Sequence, residues 1–143
     1  MTAGIATAAT TAVVAYLGKK ETGSAAAPLN ATSHIAWGDE AAEHDELDVK
    51  HTAVGAVLNA GAMTGWALVQ ELVLGPWTRR GSRGRALAAG SLTSLVAYVT
   101  DYFVVPKRVT PGFEKRLSKP GLGAIYAVLA LSMAAGLAIS DRD

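Results

Sequence analysis

The sequence predicts an all-α integral membrane protein, a four-helix bundle with a short interfacial helix in its first loop. Three observations carry this expectation. Of the 143 residues, 50% are hydrophobic, and they gather into four uncharged runs at 2–18, 52–70, 86–100 and 120–140. Each run is close to the roughly 20 helical residues that cross a bilayer core. The charges fall between the runs, whereas a buried helix of a soluble protein shows a polar face every turn or so. The chain therefore reads as a single transmembrane domain over 1–143. Its spans lie at about 2–18, 52–74, 86–105 and 120–140, with an acidic loop over 19–50.

The first span is built largely from Ala and Thr, which favour lipid less than Leu or Ile does. Lys19 and Lys20 follow it rather than precede it, so the run reads as an uncleaved span and not as a secretory signal peptide. The long loop opens with Thr22, Gly23, Ser24 and Pro28 and turns acidic between Ala31 and Asp48. Asn30 or Thr32 is suited to cap a short helix there, because a side-chain oxygen can take up a free N–H. Ile35 and Trp37 on that helix suit the membrane–water interface.

Asp48 is placed to cap the second span, with His51 in its first turn and Gly75-Pro76 as its stop. The next connection is basic, with Arg79, Arg80, Arg83 and Arg85. The third span ends before Pro106 and the fourth opens near Pro120. Four spans put Lys19, Lys20, Lys50, Lys107, Arg108, Lys115, Arg116 and Lys119 on one side. Arg79, Arg80, Arg83, Arg85 and Arg142 fall on the other. The first set is larger, but the densest basic loop belongs to the second, so the two signals oppose each other.

Two spans carry polar stripes. His51, Gly55, Asn59, Ala62, Trp66 and Gln70 recur at offsets of three and four on the second. Gly90, Ser94, Tyr98, Asp101 and Tyr102 do so on the third. These stripes are expected to face each other, making Asn59, Gln70, Glu71, Ser94, Tyr98 and Tyr102 the polar interhelical set. Gly61 and Gly65 form a small-xxx-small pair on a neighbouring face, where another helix can approach closely.

The ionisable residues converge on the side of the acidic loop. His51 opens the second span and Asp101 nears the end of the third, beside His34, His44 and Asp48. Imidazole and carboxylate together suit a divalent metal, and His34, His44, His51, Asp48 and Asp101 are the candidate ligands. No established metal signature such as HExxH is present. The plainer expectation is structural: Asp101 pairs with Lys107 or Arg108, and Glu71 with Arg79, Arg80 or Arg85. A haem on His51 fits poorly, since topology places neither Met63 nor Met133 opposite it. With no cysteine, thiolate sites and disulfides are excluded, and a net charge of +1 gives no footprint for nucleic acid.

The segments Ser33-His34-Ile35-Ala36-Trp37-Gly38-Asp39-Glu40, Asp48-Val49-Lys50-His51-Thr52 and Asp101 to Glu114 (DYFVVPKRVTPGFE) resemble uncharacterised small proteobacterial inner-membrane proteins. The resemblance covers roughly residues 33–118. It implies a multi-pass protein of the bacterial inner membrane and no particular activity. The function expected is that of a small scaffold, assembly factor or accessory subunit, packed in lipid as a homo-oligomer or within a larger membrane complex. The alternative is a metal-, ligand- or proton-handling protein using the His51/Asp101 region.

Overall fold

A computed structural model describes residues 1–79 and 81–140. The described chain is all-helical, with no strand among the described residues. Its elements are α1 (Thr2–Thr22), α2 (Ala27–Thr32), α3 (His34–Trp37), α4 (Val54–Thr78), α5 (Arg83–Val99) and α6 (Lys119–Ser140). Wider π turns at Val49–Ala53 and Thr100–Val104 lead into α4 and out of α5.

The four long helices run antiparallel, with α6 between α1 and α5 and with α1 also against α4. Small residues set these approaches. A Cβ on Gly90 would strike the Ala130 carbonyl of α6, and one on Gly136 would strike Thr2 of α1. Apolar side chains fill three zones. Ala6, Met63, Ala97, Leu129 and Met133 occupy the middle. Val14, Leu29, Phe113, Leu117 and Ile125 sit toward the long loop, and Ala86, Ala89 and Leu137 at the far end.

Three stretches, Val49–Thr78, Arg83–Val104 and Lys119–Ser140, are long and apolar enough to cross a membrane by length and composition. The Ala- and Thr-rich α1 is not among them. Several apolar side chains point away from the protein: Val57, Leu68, Leu72, Leu95 and Phe103 are 58–77% exposed.

The structure corrects several details. Pro76 does not stop α4, which continues through it to Thr78. The inward stripe of α4 runs through Gly55, Asn59, Met63, Ala67 and Gln70, while Ala62 is exposed and Trp66 only half-buried. The α4 and α5 stripes do not face each other either. Asn59 Nδ2 donates to Thr11 Oγ1 of α1 (3.3 Å), and Gln70 Nε2 to the Met133 carbonyl of α6 (3.2 Å). Ser94 Oγ donates to the Tyr126 carbonyl of α6 (2.6 Å). The reason is the packing order: α1 lies against α4, and α6 against α1 and α5, so these neighbours take the partners that an α4–α5 seam would have used. Glu71 is not interhelical: its carboxylate lies 3.6 Å from Arg79 at the half-exposed end of α4. Arg80, the other expected partner in that turn, and Arg142 lie outside the described residues.

The loop side is closed by a layer in which the acidic and basic loops meet. Lys115 Nζ lies 2.8 Å from Asp39, and Arg116 donates to both the Ala42 carbonyl and Asp45. Arg108 Nε donates to the Ile35 carbonyl (3.2 Å). Glu21, at the end of α1, accepts from the backbone and hydroxyl of Ser118 at the start of α6 (2.7 and 2.9 Å). Arg108 therefore serves this layer, and neither Lys107 nor Arg108 pairs with Asp101.

Candidate functional site

Asp48 is extended (φ −141°, ψ 164°) and caps the turn that begins at Val49. One carboxylate oxygen accepts from the His51 backbone N–H (2.6 Å), and the other lies 2.8 Å from His51 Nδ1. These bonds favour the ionised form, the backbone bond most, so the Asp48 carboxyl is held below the usual carboxylate range. The contact also assigns the proton on His51 to Nδ1 and leaves Nε2 as the ring's acceptor. His51 is buried, while the His44 ring stacked on it is exposed (centroids 3.9 Å apart, planes 18° apart).

Asn30 fixes the loop that carries His44. It is inside α2 and does not cap it, which corrects the expected role; Pro28 lies in the first turn, and Ser24 Oγ accepts from the N–H groups of Ala26 and Ala27 (3.2 Å each). Fully buried, Asn30 donates through Nδ2 to the carbonyls of His44 (2.9 Å) and Glu46 (2.8 Å). Its Oδ1 accepts from Thr52 Oγ1 (2.6 Å), whose oxygen in turn accepts from the Asp48 backbone N–H (3.0 Å). One amide thus holds His44 and Asp48 against the start of α4.

The structure divides the five predicted metal ligands. His44, Asp48 and His51 each offer a ligand atom within 4.8 Å of the others. His34 is excluded: it is fully buried, with Nδ1 2.8 Å from the Ala31 carbonyl and Nε2 3.3 Å from the Lys107 carbonyl. Asp101 is excluded because it sits in another cluster. Geometry also restricts the three that converge. A ring nitrogen binds a metal in the plane of its ring, at about 2 Å. Planes 3.9 Å and 18° apart meet only on the order of 10 Å away. The stacked rings cannot share one ion until His44 swings out.

Asp101 lies in the π turn after α5 and accepts from the Tyr126 hydroxyl (2.6 Å). Tyr98 and Tyr102 pack edge-on against Tyr126, with centroids 5.2 and 6.0 Å away. The Tyr102 hydroxyl is buried and has no hydrogen-bond partner among the described residues. Beside Asp101 and Tyr126 is a cavity of about 110 Å³ where α4 parts from the end of α5. Thr10, Asn59, Met63 and Leu129 lie at its buried side, and half-buried Leu58 and exposed Ala62 at its rim.

Sequence reasoning missed two residues here. Asn30 carried a signal, since an amide in a loop needs partners if buried, but a capping role absorbed it. Tyr126 carried a fainter one, as the hydroxyl-bearing ring in an otherwise apolar run facing the only acid of the third span. Comparison of the chain with family models, curated proteins and solved structures gave no match.

Proposed function

We propose that the chain is a multi-pass membrane protein, of the bacterial inner membrane by its sequence resemblance, and that it acts as a small non-enzymatic scaffold, assembly factor or accessory subunit. The outward apolar side chains of α4 and α5 carry this reading, since so contiguous a surface is unsuited to water and suits lipid or a partner helix. On α4, a Cβ at Gly61 or Gly65 would meet nothing within 4 Å, so another helix can approach there closely. In the charged loop layer Lys115 pairs with Asp39 and Arg116 with Asp45, which ties the two loops at that end together.

The test has two steps. Membranes carrying the protein are washed with alkaline carbonate, and the protein is expected to stay in the pellet. Native purification in a mild uncharged detergent is then expected to recover a homo-oligomer or a stoichiometric partner. A protein released by the wash, or a clean monomer from gentle extraction, would sink the reading.

A second reading, divalent-metal handling, is favoured by the closeness of His44, Asp48 and His51. It requires His44 to leave the stack. Titration with Zn²⁺ is then expected to give one saturable site that His44→Ala removes; weak, unsaturable uptake unchanged by that substitution dismisses it.

A further inference from the structure

The cavity beside Asp101 has a lopsided hydrogen-bonding character. Most of its polar side chains are spent locally. Thr10 Oγ1 donates to the Ala6 carbonyl (2.7 Å), Thr32 Oγ1 to the Pro28 carbonyl (3.3 Å), and Asn59 Nδ2 to Thr11 (3.3 Å). The Tyr126 hydroxyl is spent on Asp101. What remains for an occupant, with the Asn59 amide oxygen and second N–H deeper in, is the Asp101 carboxylate, whose second oxygen has no donor among the described residues. No Lys, Arg or His nitrogen among the described residues lies within 4.0 Å of it to neutralise it. Glu114, close enough to interact with Asp101 and itself bonded to Thr110, adds negative charge at the same end.

A buried or half-buried carboxylate at membrane depth is costly without a partner. No cationic side chain among the described residues supplies one, so a matching occupant carries positive charge and tolerates apolar walls such as Met63, Ile125 and Leu129. At about 110 Å³ the cavity is smaller than the apolar cavity of about 150 Å³ that admits benzene, so it takes only a compact group, with the rest of the molecule outside. Tyr126 also lines the cavity beside the acid, and the face of such a ring attracts cations.

We propose that this cavity binds a compact organic cation, the ammonium head of an amphiphile, with Asp101 as its counter-ion and the tail leaving past Leu58 and Ala62. The proposal rests on the membrane reading for one step, the route by which an amphiphile arrives through lipid.

The experiment is equilibrium dialysis of the purified full chain in uncharged maltoside micelles, corrected for protein-free micelles. The probes are hexyltrimethylammonium and its neutral carbon isostere, 2,2-dimethyloctane. Saturable, one-to-one uptake of the cation over the isostere is expected. Asp101→Asn keeps the shape and the acceptor for Tyr126, and is expected to weaken the cation at least about tenfold through loss of the direct charge–charge attraction, since the quaternary head has no N–H to donate. Ala62→Trp leaves Asp101 and Tyr126 untouched and is expected to block uptake by filling the rim. Equal uptake of both probes, or unchanged cation binding in both variants, overturns the site. A protein that resists the carbonate wash yet shows no charge selectivity loses the site alone. One released by the wash loses the membrane reading, while the dialysis still judges the site.

Discussion

Replacing Asn30 with Ala tests how one amide organises the loop side. The substitution removes two donors and one acceptor from a fully buried position. A typical net hydrogen bond contributes about 1 kcal/mol, and stranding a buried partner costs more. The carbonyls of His44 and Glu46 lie in a part-exposed loop, so water can replace their lost donors and each bond is discounted. The Thr52 hydroxyl is less accessible and keeps its full cost. The sum is about 2–3 kcal/mol, against about 1 kcal/mol or less for Asn59→Ala, which loses a single 3.3 Å bond. The assay pairs thermal unfolding in detergent with reactivity of His44 and His51 toward diethylpyrocarbonate. Asn30→Ala is expected to lower the midpoint clearly more than Asn59→Ala and to speed modification of His51, because the His44 stack and the Asp48 cap are released together. Equal midpoints with unchanged His51 reactivity would refute the account of Asn30 as the shared anchor.

Other outcomes follow from the same contacts. Gly90→Ala is expected to cost about 1–3 kcal/mol, as overpacking does, and Ala134→Gly should fail to rescue it because the nearest atom is the backbone oxygen of Ala130; unfolding midpoints of the single and double variants decide. Asp48 and Asp39 both titrate below the usual carboxylate value of 3.8, held by His51 and by Lys115 respectively. A depressed folded value gives stabilisation that is complete above the unfolded value and is lost as pH falls through the folded one. Hydrogen exchange of the His51 amide should therefore show no loosening from these carboxylates between about pH 8 and 5, and loosening only below about pH 4. Arg116→Ala removes bonds to Ala42 and Asp45 and is expected to make the 38–48 loop more open to limited proteolysis while leaving helix content unchanged by circular dichroism.

Much of this architecture was legible in the sequence because its signals are local. Uncharged runs marked the long helices, and Asp48 marked the start of the turn into α4, since capping depends on residues three apart. The order of packing was not local. Asn59, Gln70 and Ser94 were recognised as inward and polar, but their partners are on α1 and α6, and offsets within a helix do not say which neighbour it meets. The ion pairs were misassigned for a related reason. Lys107 and Arg108 are near Asp101 along the chain, yet the layer formed by 31–45 draws the 107–116 segment toward itself. Asp101, left facing α6, finds Tyr126 instead. For the histidines, sequence could place three rings on one side of the protein. Only the fold shows that His34 is spent on two carbonyls while His44 lies flat on His51.

The contact between Glu21 and Ser118 joins residues 97 apart in sequence. Its consequence concerns the order of assembly. On the ribosome, α1, α4 and α5 emerge before α6, yet α6 is the surface against which both α1 and α5 settle. Until it arrives, the Gly90 face lacks Ala130 and Ala134, Thr2 lacks Gly136, and the loop-side zone around Val14 and Leu29 lacks Ile125. A nascent chain that has made only its first three long helices therefore lacks the surface that closes α1 against α5. Docking of α6, with Glu21 fastening Ser118, closes the bundle.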